Sequence, residues 1–245
     1  MPIDANTIKN HLNSIGSPEK AEKAKRFFKK DIEKKGNIFL GISMPTLRSE
    51  CSNYLNLSFE ENKKLIQSKF HEHRMLALLI LNLQWKKNHR YNHQEIFHYY
   101  SHILQYINNW DLVDVSAPHV PGKWLIENPK KIKKNLSIWA EDSNIWIRRI
   151  SAVSTLALIR DNHLDSTYFI AEKLLQDKED LIHKANGWIL REAGKKDAHR
   201  LKIFLQKHYG VIPRTTLRYA IEKFTPQERL EWIHMKKLKT KANST

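Results

Sequence analysis

The sequence predicts an all-α chain of stacked helical pairs, on three observations. Seven glycines and eight prolines among 245 residues leave little material for hairpins. Most long segments space their apolar residues at helical rather than strand intervals. A small residue also recurs at one point of the pattern, as Ala77, Ala117, Ala152, Gly187 and Ala220, with separations of 40, 35, 35 and 33. A period near 35 residues suits one helical pair, each repeat burying its apolar face on its neighbour.

Taken in order, the elements carry their own start and stop signals. Ser17-Pro18-Glu19 opens a helix over 17–35 with a cap residue, a proline in the first turn and an early acid; Gly36 follows its basic end. Pro45 starts another, and Glu60 to Lys69 reads as a short polar helix. His71 to Lys87 is apolar enough to be a buried inner helix. Gln94 to Ile107, Asp111 to Val120, Pro129 to Ala140, Asn144 to Arg160, Ser166 to Gln176, Leu181 to Gly194 and Asp197 to His208 continue the up-and-down pattern. Pro213 to Lys223 and Pro226 to Met235 close it. No composition shift marks a linker, so 1–235 is expected to form a single repeat domain, followed by a basic, flexible tail over 236–245. A chain of this length buries roughly 70–75% of the surface it exposes when unfolded, so a core is available.

Charge narrows the partner. Lys and Arg total 42 against 26 Asp and Glu, a formal net charge of +16, which favours an anionic partner. The longest apolar run, Met75 to Leu81, is far short of the ~20 residues that span a bilayer, so nucleic acid is favoured over membrane. The first residues have neither a basic nor an apolar leader segment, and a cytoplasmic location is expected. Cys51 is the lone cysteine, which excludes an internal disulfide framework and a cysteine-based metal site. His71 with His73, and His89 with His93, lack the further ligands a metal needs, so no metal is expected. No glycine-rich phosphate loop or Gly-x-Ser-x-Gly elbow occurs. The run Lys130-Lys131-Ile132-Lys133-Lys134 reads equally as a solvated face or a phosphate contact.

Three positions before each small residue stand Arg74, Asp114, Arg149, Lys184 and Leu217. Residues three apart share nearly one helix face, so stacking is expected to line this column along one surface. One carboxylate interrupts the bases. Trp110 lies four residues before Asp114, on the same helix face, and Trp188 follows Gly187. Core packing is the ordinary role of a tryptophan, and a salt bridge the ordinary role of Arg149. The set of two indoles, a carboxylate and a guanidinium in adjacent repeats is more specific than any member.

These residues resemble the AlkD-like DNA alkylation repair glycosylases, built of HEAT-like helical repeats. The likeness covers nearly the whole chain: Ser17-Pro18-Glu19-Lys20-Ala21, Phe39-Leu40-Gly41-Ile42 with Pro45, His71-Glu72-His73-Arg74, Trp110-Asp111-Leu112-Val113-Asp114, Asp142-Ser143-Asn144-Ile145-Trp146 with Arg149, and Gly187-Trp188-Ile189-Leu190-Arg191-Glu192. The resemblance implies a right-handed solenoid of antiparallel repeats with a basic concave face. It places Asp114 on the family's catalytic carboxylate, Arg149 on its catalytic-site arginine, and Trp110 and Trp188 on its two active-site indoles. Arg148, Lys184, Arg191 and Arg74 are the expected DNA-binding cations. Two departures stand out: Phe27 where a tyrosine is expected, and Asn186 in place of an apolar residue before Gly187-Trp188.

The implied activity is a monofunctional DNA glycosylase acting on positively charged N3- or N7-alkylpurines in duplex DNA. It would work as a monomer without a cofactor and leave an abasic site. An alkylated, cationic purine is a good leaving group, and its departure leaves oxocarbenium-like charge on the sugar. A carboxylate facing that sugar stabilises the charge. The resemblance implies that the lesion is trapped from the backbone side on an open face rather than flipped into a closed pocket. The rival reading is a non-catalytic module that binds branched or bent DNA.

Overall fold

The structure, a computed structural model, describes residues 3–27, 37–88 and 90–235, with the backbone alone for Phe27. The rest of the helix expected over 17–35, its Gly36 stop, the Phe27 side chain, His89 and the 236–245 tail lie outside the described residues. Among the described residues every regular element is helical, and the one bridge, Ile38 with Phe70, is isolated. The helices group into two compact units, Met1–Trp124 and Leu125–Thr245.

The first unit holds α1 (Ala5–Ser14), α2 (Pro18–Phe27), α3 (Met44–Cys51), α4 (Phe59–Ile66), α5 (His71–Lys87), α6 (His93–Ile103) and α7 (Trp110–Ser116); α8 (Pro121–Glu127) contains the division. α5 is the inner helix that its composition predicts. Every residue from His71 to Leu81 is buried, and α3, α4 and α7 pack around it. It stops at Asn88, whose left-handed φ of 45° a helix cannot continue. Two helices were not expected. α1 carries few apolar residues, but Ala5, Ile8 and Leu12 are buried on one stripe and the Asp4 carboxylate caps the Thr7 N–H at 2.7 Å. α8 begins on Pro121-Gly122, which reads as a break; the Gly122 N–H instead donates to the Ala117 carbonyl at 2.8 Å and turns the chain into a new helix.

Ahead of α5, the segment Leu40-Gly41-Ile42 is held by one carboxylate. Glu72 is buried, and its oxygens accept the N–H groups of Leu40 at 2.9 Å, Gly41 at 2.8 Å and Ile42 at 3.3 Å. Gly41 sits at φ +75°, and a Cβ there would lie 2.2 Å from the Ser17 carbonyl oxygen. Glycine is thus required both by the backbone and by the close approach of α2.

The second unit holds α9 (Ile132–Ala140), α10 (Ile145–Arg160), α11 (Asp165–Lys173), α12 (Asp180–Lys196), α13 (Ala198–His208), α14 (Arg214–Ala220) and α15 (Pro226–His234). α10, α12 and α14 stack as the inner row, with α9, α11 and α13 packed along their outer side. Repetition extends to single hydrogen bonds. Ser151 Oγ donates to the Leu136 carbonyl at 2.9 Å, and Asn186 Nδ2 to the Ala171 carbonyl at 3.0 Å. Donors and acceptors are each 35 residues apart, so both bonds tie an inner helix to its outer partner at the same register. This accounts for the polar residue at 186.

The small residues of the repeat are all buried. Gly187 shows why. A Cβ there would stand 2.4 Å from Tyr219 Cβ and 2.7 Å from the Thr216 carbonyl oxygen, so α12 and α14 touch backbone to backbone. Gly187→Ala is therefore expected to cost about 1–3 kcal/mol, despite alanine's better helix propensity. A urea unfolding series with no fall in midpoint would contradict this packing.

His73 adds a pH dependence. Burial holds its imidazole down at about 4, against an ordinary 6.5, and Nδ1 lies 2.9 Å from Ser68 Oγ. Between those values the unfolded chain binds a proton that the native state refuses, so stability rises with pH across this window. From pH 7 to 4.5 the wild type should lose up to about 3 kcal/mol more than His73→Asn does. Equal losses in denaturant titrations would remove His73 as the cause.

Candidate functional site

α7 carries Trp110 and Asp114, and at seven residues it is too short to persist by its own hydrogen bonds. Neighbouring side chains hold it. Asn109 Oδ1 accepts the Trp110 N–H at 2.8 Å, and Asp111 Oδ1 accepts the Leu112 N–H at 2.8 Å. The other oxygen of Asp111 lies 2.7 Å from Nε2 of buried His71 on α5. Asn82 Nδ2, also on α5, donates to the Val115 carbonyl at 2.8 Å. Tyr100 OH meets Ser116 Oγ at 2.9 Å from the α6 side. Leu112, Val113 and Ser116 face the core, while Trp110 and Asp114 share a half-buried side one turn apart.

The His71–Asp111 pair was not anticipated from the sequence, where His71 was weighed only as a metal ligand beside His73. A signal for it existed: His71 precedes Ala77 by six residues, as Asp111 precedes Ala117. The two hold equivalent positions in successive repeats and so meet. Among the described residues no group of three or more His, Cys, Asp or Glu is placed to hold a metal ion. None of their helices is long and apolar enough to cross a membrane.

Burial corrects the expectation that the residues three before each small one form a single exposed column. Leu217 is buried, and Arg74 and Arg149 are each 5% exposed. In the first unit, Arg74 donates to the Ser68 carbonyl at 2.9 Å and to Asn37 Oδ1 at 2.6 Å. Desolvation lowers its pKa, and its guanidinium braces the chain entering α5 rather than a phosphate. In the second unit, Arg149 Nη1 donates to the Leu181 carbonyl at 2.6 Å, tying the start of α10 to that of α12. Only Asp114 and Lys184 of the column are half-exposed. The reason is positional: each inner helix starts beside a loop whose carbonyls need donors, and a long arginine reaches them.

The other expected DNA-binding cations differ in how exposed their carboxylate partners are. Arg148 grips the buried carboxylate of Asp177, with Nε 2.6 Å from Oδ2, and also donates to the carbonyls of Asp142 and Ser143 at 3.0 and 2.9 Å. Such a group is a strut, and freeing it would strand Asp177. Lys184 pairs with Asp180 at 2.9 Å, but the two side chains remain 41% and 59% exposed. The hydrogen bond from Lys184 holds the Asp180 carboxyl below its usual range, and in return raises the Lys184 ammonium. Arg191 pairs with Glu192 and with exposed Glu222. Exposed pairs such as Lys184–Asp180 are worth ~0–1 kcal/mol, so a phosphate can displace Asp180 at little cost, whereas the Arg191 side chain, 19% exposed, can give up only its outer partner Glu222 as readily. Trp188 is half-buried on α12, one residue from the Gly187 contact with Tyr219.

A family model described as DNA alkylation repair enzyme matches residues 8–224. Among solved structures, a protein of Enterococcus faecalis described as a predicted DNA alkylation repair enzyme is similar, with a TM-score of 0.71 and 19% identity over 86% of this chain and 97% of that one. AlkD2 of Streptococcus mutans is similar with a TM-score of 0.57 and 18% identity, over 75% of this chain and 90% of that one. Both are helical repeat proteins in fold, as this chain is. No curated protein matches the sequence.

Proposed function

This chain belongs to the DNA alkylation repair enzyme family, and we propose that it is a hydrolytic member. Its substrate is the N-glycosidic bond of positively charged N3- or N7-alkylpurines in duplex DNA, and its product an abasic site for base excision repair. The observation that carries this is the mounting of Asp114. It is a half-buried carboxylate on a short, side-chain-tethered helix, one turn from an indole, in a chain of net charge +16. A polyanion-binding protein gains nothing for affinity by presenting an acid; a reaction that builds positive charge on a sugar gains a great deal.

In this reading Asp114 stabilises the oxocarbenium-like deoxyribose and orients the attacking water. Trp110 and Trp188 attract the cationic base through their ring faces, each worth ~0.5–2 kcal/mol according to desolvation. Arg149, tied to the Leu181 carbonyl, acts by positioning the starts of α10 and α12 rather than by gripping a phosphate itself. Lys184 and Arg191 exchange their exposed carboxylate partners for phosphates. No lysine is matched to the catalytic set, so the chemistry is hydrolysis without strand cleavage. The protein acts as a monomer, and no cofactor takes part. The test is incubation with methylated duplex DNA and chromatography of the free bases. Duplex binding without base release would leave a DNA-binding module instead.

A further inference from the structure

The lysine run at 130–134 gains a setting in the second unit that the site above does not use. Lys130 and Lys133 border a recess of about 500 Å³ together with His163, from the turn after α10, and Arg200, on α13. Three chain segments far apart in sequence thus bring their basic groups to one hollow on the outer row of helices. One acid, Asp165, also lines it and pairs with Arg200.

Neither Lys130 nor Lys133 has a carboxylate partner among the described residues; Lys133 instead lies 5.8 Å over the Phe169 ring. Arg200 lies 4.6 Å over Tyr168, which fixes its guanidinium plane at the rim. The first turn of α11 borders the same recess, and that helix has no side-chain cap, so its leading N–H groups add positive potential. Two lysines without acid partners, an uncapped helix start and a hollow together describe an anion site, although Arg200 and His163 also meet Asp165 and Asp161. Its volume falls in the range of whole-ligand sites, ~300–1,000 Å³, more than a single phosphate fills.

We propose that this recess is a second contact for a phosphodiester backbone, on the outer row of helices and separate from Lys184, Trp188 and Arg191 on inner α12. It rests on nucleic acid being the partner, but not on base release. The turn of lysines there neutralises two phosphates that the inner row does not reach.

The experiment measures the affinity of the full chain for an unmodified duplex by fluorescence anisotropy between about 50 and 200 mM salt, where phosphate-driven binding changes steeply. Lys130→Gln/Lys133→Gln should lower the slope of log Kd against log salt by about 1.8, or ~0.9 per phosphate, and weaken binding roughly tenfold at the low-salt end. Lys86→Gln/Lys87→Gln, which removes the same charge from the exposed end of α5, should change the slope by less than half as much. An unchanged slope in the first variant, or an equal fall in the second, overturns the proposal. Single-turnover base release at saturating DNA should be the same in the first variant as in the wild type. If the wild type binds but releases no base, the glycosylase reading fails and the slope alone decides this one. If the wild type does not bind duplex DNA, the second contact is overturned with it.

Discussion

Asp114→Asn is expected to slow release of 7-methylguanine by a factor on the order of 10²–10³, while binding to the same duplex is unchanged or tighter. The rate loss follows from removing a charge aimed at a developing cation, comparable to removing a preorganised group that stabilises a transition state. The binding gain follows because the substitution deletes a negative charge that repels phosphate. Asparagine keeps the size of the side chain, and the tethers of α7 through Asp111, Val115 and Ser116 stay in place. The thermal midpoint should therefore stay close to that of the wild type. Slower release with equal or better binding and an intact fold separates a chemical role from a structural one. Release at the wild-type rate would remove the carboxylate from the mechanism.

Glu72→Ala should be the most damaging change to stability among those considered, costing about 3–5 kcal/mol. Three N–H groups, of Leu40, Gly41 and Ile42, donate to this one buried carboxylate. Hydrogen bonds to charged groups contribute ~1.5–3 kcal/mol each, and orphaned buried donors add a desolvation penalty. Glu72→Gln keeps one acceptor oxygen but turns an N–H₂ group towards other donors, so it should lose roughly half as much. Equilibrium unfolding in urea measures both variants. Midpoints within error of the wild type would show that the 40–42 segment does not depend on this carboxylate.

The sequence carried much of this architecture because a repeat protein states its pattern several times. The small residues at 77, 117, 152, 187 and 220 are buried, and the boundaries of α5, α10 and α12 fall within about two residues of the expected ranges. The N-terminal helix was hidden because its three buried residues are embedded in polar ones, and α8 because a Pro-Gly start looks like a turn. Side-chain roles were less legible. An arginine on an inner helix can face solvent or reach back to a loop carbonyl with the same spacing, and only coordinates distinguish Arg74, Arg148 and Arg149 from Lys184. The His71–Asp111 pair was readable from the 40-residue offset, but only once residues of neighbouring repeats are compared position by position.

The most direct test is to incubate the wild-type protein with methylated duplex DNA, without added metal, and quantify the bases set free and the abasic sites left behind. Free 3-methyladenine or 7-methylguanine, in step with abasic sites and without strand breaks, is the outcome that a carboxylate acting on a cationic nucleotide requires. DNA that is bound but retains all its methylated purines would contradict it.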